Sequence, residues 1–181
     1  MSKGPSKNKR TREKTRRVPK VKGTKIPVRY APKSLTRKDR KAQLQAIRKS
    51  QSEYKRGEYY TRPKVKSYKS KESKWVTKAK KEFGVDAIVP SAKLAKATGC
   101  TRKAMRKIVD KGEGAYYSAG SRPNQTGASW GRARLASALV GGPAARIDWH
   151  VLKDGCKPKG KTRRLIRKTK AVTDPKPTEW K

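Results

Sequence analysis

Residues 111–150, KGEGAYYSAGSRPNQTGASWGRARLASALVGGPAARIDWH, nearly abandon lysine inside a chain whose formal net charge is +39. Residues 111–152 hold 5 Lys/Arg against 2 Asp/Glu, while residues 1–41 hold 17 against 2 and residues 153–181 hold 11 against 3. Like charges are not packed together without partners, so a stretch freed of them and rich in glycine, alanine, serine and aromatics marks where a core can form. With 32% hydrophobic and 36% charged residues, the 181-residue chain has apolar material for one modest core. The 52 Lys+Arg against 13 Asp+Glu make a compact unbound state self-repelling, which points to a polyanion or an acidic protein surface as stabilising partner.

The layout reads as an extended basic arm (1–33), a basic helical region with a linker (34–84), a compact α-rich centre (85–152) and a basic C-terminal tail (153–181). The expected fold class is mainly α: a small helical domain with a shaped Gly/Ser-rich loop, flanked by long extended basic arms. The first arm carries four prolines and few large apolar residues, too few to offset its chain entropy alone. Its Ile26, Val28 and Tyr30 are the expected anchors on a protein neighbour, with Pro19, Pro27 and Pro32 lowering the entropy lost on ordering.

From residue 34, SLTRKDRKAQLQAIRKSQSEYKRG signals a helix, capped by Ser34 or Thr36, with Leu44, Ile47 and Tyr54 as a thin apolar stripe and Gly57 past its end. After a polar linker, Trp75, Ala79 and Phe83 fall at helical spacing and Gly84 supplies a stop. Tyr59, Tyr60, Tyr68 and Trp75 serve either to anchor these segments on the centre or to stack on bases.

VPSAKLAKATGCTRKAMRKIVDKG then predicts two short helices, one capped by Ser91 and ending before Gly99, the next capped by Thr101 and ending before Gly112. Leu94, Ala95, Met105 and Ile108 suit a helix-turn-helix, which would present Arg102, Lys103, Arg106 and Lys107 to a major groove; they suit an ordinary helical hairpin equally. Gly112, Gly114, Gly120 and Pro123 predict a shaped, non-helical loop in which Ser118, Ser121, Asn124, Gln125 and Thr126 satisfy backbone groups. Residues Tyr116, Ser121, Arg122, Pro123, Asn124, Gln125 and Thr126 are its candidate contact residues. An anion is one occupant of this loop, held by backbone N–H groups and Arg122; an arginine bonded to nearby carbonyls is the other reading. Ser129 precedes a helix with Trp130, Ala133 and Leu139 near one face, ended by Gly141-Gly142, and Pro143 opens a further short helix.

The run KGEGAYYSAGSRPNQTGASWGRARLASALVGGPAARID closely resembles the signature KGxGAYxSxGSRPxQTxxSWxxARLASxxxGGxAxxxD of an uncharacterised family of basic proteins of large double-stranded DNA viruses of algae and protists and of some tailed phages. The basic region PKSLTRKDRKAQLQAIRKSQSEYKRGEYYTRPKVKSYKSKESKWVTKAKK is similar to what precedes the signature there, so the resemblance spans roughly residues 30 to 155. It implies a virus and carries no activity with it.

An enzyme is not expected. Cys100, Cys156 and His150 are too few for a four-ligand metal site and sit in no paired-Cys motif, and Asp148 and His150 diverge on a helix. GEG before AYYSAGS lacks the lysine and helix of a nucleotide loop. No catalytic residue, cofactor, metal or small-molecule substrate is therefore expected; Cys100 and Cys156 could form one disulfide, two thiols in an intracellularly made protein are more often free, and no spacing rule decides between them. The amino terminus lacks an apolar core for a signal peptide, and no run approaches the ~20 apolar residues of a membrane span. The expected function is a structural virion protein, a minor capsid protein docking on other capsid proteins with its arms threaded between them or facing the anionic interior. It would be made in the host cytoplasm or nucleus. The alternative is a viral nucleic-acid-binding protein that condenses DNA or binds it through the helix-turn-helix; an anionic inner membrane surface is a third partner for the arms.

Overall fold

The computed structural model describes residues 19–169. Within them the chain is mainly α, as the composition of its centre implies: eight α-helices, a short 3-10 turn at Val28–Tyr30, and no strand beyond two isolated bridges. The helices are α1 (Arg37–Lys55), α2 (Lys74–Phe83), α3 (Ala92–Thr98), α4 (Arg102–Ala119), α5 (Gly127–Leu139), α6 (Pro143–Ile147), α7 (Trp149–Gly155) and α8 (Lys161–Lys168).

Most boundaries follow local chemistry. Thr36, Ser73, Ser91 and Thr101 each accept a first-turn N–H with the side chain, starting α1, α2, α3 and α4. Gly84 and Gly99 take left-handed conformations at the ends of α2 and α3. Helix α5 starts at Thr126 rather than Ser129, because the two form a reciprocal capping box. The single short helix expected after Pro143 is two, α6 and α7, which meet at Asp148.

The largest correction concerns α4. It does not stop before Gly112 but runs unbroken to Ala119, so the expected loop shrinks to residues 120–126. The glycines thought to break it are contact points: a Cβ on Gly112 would lie 2.6 Å from the Gly131 Cα, and one on Gly131 2.8 Å from the Val109 carbonyl oxygen. These bare positions let α4 and α5 cross backbone to backbone, the most extensive helix contact in the fold. Met105, Ile108, Gly112 and Tyr116 keep helical spacing on the buried face.

The main core gathers Leu94, Met105, Ile108, Leu135, Leu139, Leu152 and Ile166 with many alanines, and draws Ala79 and Phe83 from α2. Packing thus extends beyond 85–152 on both sides, since Ile166 of the expected tail is fully buried. Two placements differ from expectation. Trp130 does not share a core with Leu139; it is half-buried against a second cluster made by Ile26, Tyr30 and Ile47, with its ring edge-on to Tyr30 at 5.8 Å. Ile26 and Tyr30 are consequently buried at home rather than offered to a neighbour, and Val28, in the 3-10 turn between them, is half-buried. The apolar side chains of this segment find their partners on α1, so it is not an extended arm. Residues 1–18 and 170–181 of the expected arms lie outside the described residues.

Candidate nucleic-acid interface

The distinctive loop turns inward. Tyr116, in the last turns of α4, is fully buried, as is Ser121, and Pro123 is buried beside them. Asn124 has φ 58, a left-handed conformation that asparagine tolerates better than most residues. Its side chain imitates a strand partner: Oδ1 accepts from the Val65 N–H at 2.8 Å, while Nδ2 donates to the carbonyls of Val65 at 3.0 Å and Tyr68 at 2.7 Å. Gln125 accepts from the Ser129 hydroxyl at 2.9 Å and Thr126 caps α5. Arg122 and Thr126 are the exposed residues of the seven, and Arg122 has no carboxylate partner among the described residues. The loop is a clasp for the linker before α2, not an exposed contact surface.

The residue that organises this clasp is one that sequence reasoning missed. Arg62, in the linker, is buried; its guanidinium donates to the Ser50 hydroxyl at 3.1 Å, the Tyr116 carbonyl at 2.9 Å and the Ser121 hydroxyl at 2.7 Å, and lies 3.6 Å from the Tyr116 ring centroid. Burial lowers its pKa from the ordinary value. No carboxylate pairs with it among the described residues; the carbonyl end of α4 and the face of an aromatic ring lie against the charge and stabilise it instead. Gln43, also buried, ties the carbonyls of Tyr30 and Ser121 at 3.1 and 3.3 Å. One arginine in a lysine-rich linker carries no spacing that marks it out; only the adjoining TRP triplet distinguishes it.

The start of α4 turns outward. Ala104, Met105 and Ile108 face the core, so Arg102, Lys103, Arg106 and Lys107 share the opposite stripe and are all exposed. None of the four pairs with a carboxylate among the described residues. Asp110 ends the stripe. The helix-turn-helix spacing is present, α3 meeting α4 through Gly99-Cys100-Thr101, and the structure brings the four basic candidates together while separating them from the loop candidates.

That turn is locked by a bond that the residue spacing left undecided. Cys100 and Cys156 are joined as a disulfide between buried residues. Folding brings the α3–α4 turn against the end of α7, where Thr101 N–H donates to the Gly155 carbonyl and Lys157 N–H to the Gly99 carbonyl, each at 2.8 Å. Residues 155–162, GCKPKGKT, have the spacing of a phosphate-binding loop. The context is wrong for one: α7 rather than a strand precedes it, Cys156 inside it is bonded to Cys100, and the Lys161 ammonium donates to the Glu82 carbonyl. The octet fastens α8 to the fold.

Asp148, fully buried, receives both Arg134 nitrogens at 2.7 and 2.8 Å and the Lys111 ammonium at 3.3 Å. His150 is exposed, 3.2 Å from that ammonium; partial burial, and behind it Lys111, lower its pKa from the ordinary value. Among the described residues no group of three His, Cys, Asp or Glu could hold a metal, and no helix is long and apolar enough to cross a membrane.

Fold and surface together define a small, disulfide-closed helical protein with an inward polar clasp and an outward cationic stripe. The chain matches the family of unknown function DUF5824 over residues 27–154, and it belongs to that family. No curated protein and no solved structure matches it.

Proposed function

We propose that this chain is a structural, non-enzymatic protein of the particle of a large double-stranded DNA virus, and that its folded unit binds nucleic acid through the cationic stripe of α4. One observation carries the nucleic-acid reading: Arg102, Lys103, Arg106 and Lys107 form an exposed stripe with no carboxylate partner among the described residues, in a chain whose net charge is +39. Such a stripe repels itself until phosphates neutralise it, and release of their counterions drives binding. The viral setting rests on the resemblance of residues 111–148 to the viral signature. A minor-capsid position fits the same basic termini, but burial of Ile26 and Tyr30 within the chain favours electrostatic contact with the genome over apolar threading of that segment between capsid neighbours or contact with an inner membrane.

Lysine acetylation footprinting of the full chain with and without duplex DNA tests the interface: Lys103 and Lys107 become protected while Lys78, on α2, stays reactive. Uniform protection of every exposed lysine, or none at Lys103 and Lys107, contradicts it. Absence of the protein from purified particles by mass spectrometry contradicts the virion role.

A further inference from the structure

We propose that the Cys100–Cys156 disulfide assembles one duplex-DNA-binding face from two basic segments, residues 102–107 and 153–164, so that the oxidised protein contacts more phosphates than the reduced one. This rests on the nucleic-acid reading above and adds the second segment and its control. The two segments run side by side at the seam. Beyond the two backbone hydrogen bonds there, a Cβ on Gly99 would lie 3.1 Å from the Gly160 Cα, so α3 and the residues before α8 touch backbone to backbone. Arg102 and Lys103 border the seam on one side, Lys153, Lys157 and Lys159 on the other, all exposed; Asp154 is the acid on this edge. The second segment is held in shape by Arg163, which stacks 4.4 Å from the Trp149 ring centroid and donates to the Lys153 carbonyl at 3.2 Å, and by Arg167, which donates to the Pro158 carbonyl at 3.2 Å.

Cations brought together this way repel one another, and at the seam between residues 99–101 and 155–160 two backbone hydrogen bonds and the Gly99–Gly160 contact oppose that repulsion, while Ile166 anchors α8 in the core. The covalent bond removes the choice. Reduction transfers two electrons and two protons from a dithiol reductant, which departs as its own disulfide and leaves two thiols; residues 156–160, between the core anchors Leu152 and Ile166, then lose their covalent tie to the α3–α4 turn and can move apart from it. Duplex DNA fits the oxidised face better than a protein partner does, because a rigid row of phosphates rewards cations held at fixed spacing.

The test is the salt dependence of duplex binding by the full chain, oxidised, reduced with dithiothreitol, and as the Cys100→Ser/Cys156→Ser variant. Reduction and the double variant should each make the slope of log K against log salt shallower by about 2 to 3 and weaken binding about tenfold at moderate salt. Lys157→Gln/Lys159→Gln should make the slope shallower by about 2 in the oxidised protein and leave the reduced protein nearly unaffected. Equal slopes in both redox states, with the lysine variant acting equally in each, would overturn the inference while leaving the nucleic-acid reading intact. Slopes insensitive to neutralising Arg102, Lys103, Arg106 and Lys107 would instead remove that reading. Hydrogen exchange supplies the structural control: amides of α5 should stay protected after reduction while those of Thr101, Lys157 and Gly160, which bond at the seam, exchange faster. Loss of protection in α5 would show that the bond staples the whole fold, and would overturn the inference as well.

Discussion

The loop 120–126 and the first turns of α4 are both candidate contact regions in the sequence, and the folded chain uses them in opposite directions. The loop, with the more distinctive residues, points most of its side chains inward: Asn124 holds Val65 and Tyr68, and Ser121 receives Arg62. The start of α4, plain in sequence, keeps four cations in solvent. The difference teaches that in a lysine-rich chain an unusual residue pattern marks a demand of packing, whereas contact with a polyanion asks only for charge at helical spacing. A chain with little apolar material closes part of its structure with hydrogen bonds to backbone, and such bonds need particular residues at particular places.

If the division holds, damage to the core or clasp costs stability and spares duplex binding. The largest loss is expected in the core on which both regions rest. Leu139→Ala should cost about 2–5 kcal/mol in thermal or denaturant unfolding, and Trp130→Ala distinctly less, since Trp130 is half-buried beside Tyr30; equal losses would mean the two clusters are one. Next comes Arg62→Met, which keeps the bulk but removes the donors to Ser50, Tyr116 and Ser121, at about 2–3 kcal/mol. A loss of duplex binding without a loss of stability would give Arg62 to the interface and break the comparison. Asn124→Ala leaves the Val65 N–H without its acceptor and should cost about 1–2 kcal/mol, with linker amides near Val65 exchanging faster while those of α4 do not.

The smallest effect is one of pH. His150 has a lowered pKa in the folded chain, so the unfolded chain takes up its proton at higher pH than the folded one. Stability therefore falls as pH drops through the ordinary histidine value and levels off once the folded imidazole is also protonated. Melting midpoints of the His150→Gln variant should lose that component; an unchanged profile assigns the dependence elsewhere.

What was legible in the sequence was local. Caps at Thr36, Ser91 and Thr101 and stops at Gly84 and Gly99 act within one turn of the helix they bound, so adjacent residues reveal them. Gly112 misled because a glycine that ends a helix and a glycine that admits a crossing helix look the same until the partner, Gly131, is known to face it. Cys100 and Cys156, 56 residues apart, and Arg62 with Ser121 meet only through the tertiary fold, which no spacing rule encodes. The four α4 cations were legible as a stripe; that they stay without carboxylates was not, since it depends on where every Asp and Glu comes to rest.

The most direct test of the outward stripe is the salt slope of duplex binding for Arg102→Gln/Lys103→Gln/Arg106→Gln/Lys107→Gln against the unaltered oxidised chain, with unfolding measured on the same samples. The slope should become shallower by about 3 to 4, the number of phosphates the stripe can neutralise, while stability stays within about 0.5 kcal/mol. An unchanged slope, with the four charges gone and the fold intact, would contradict the account.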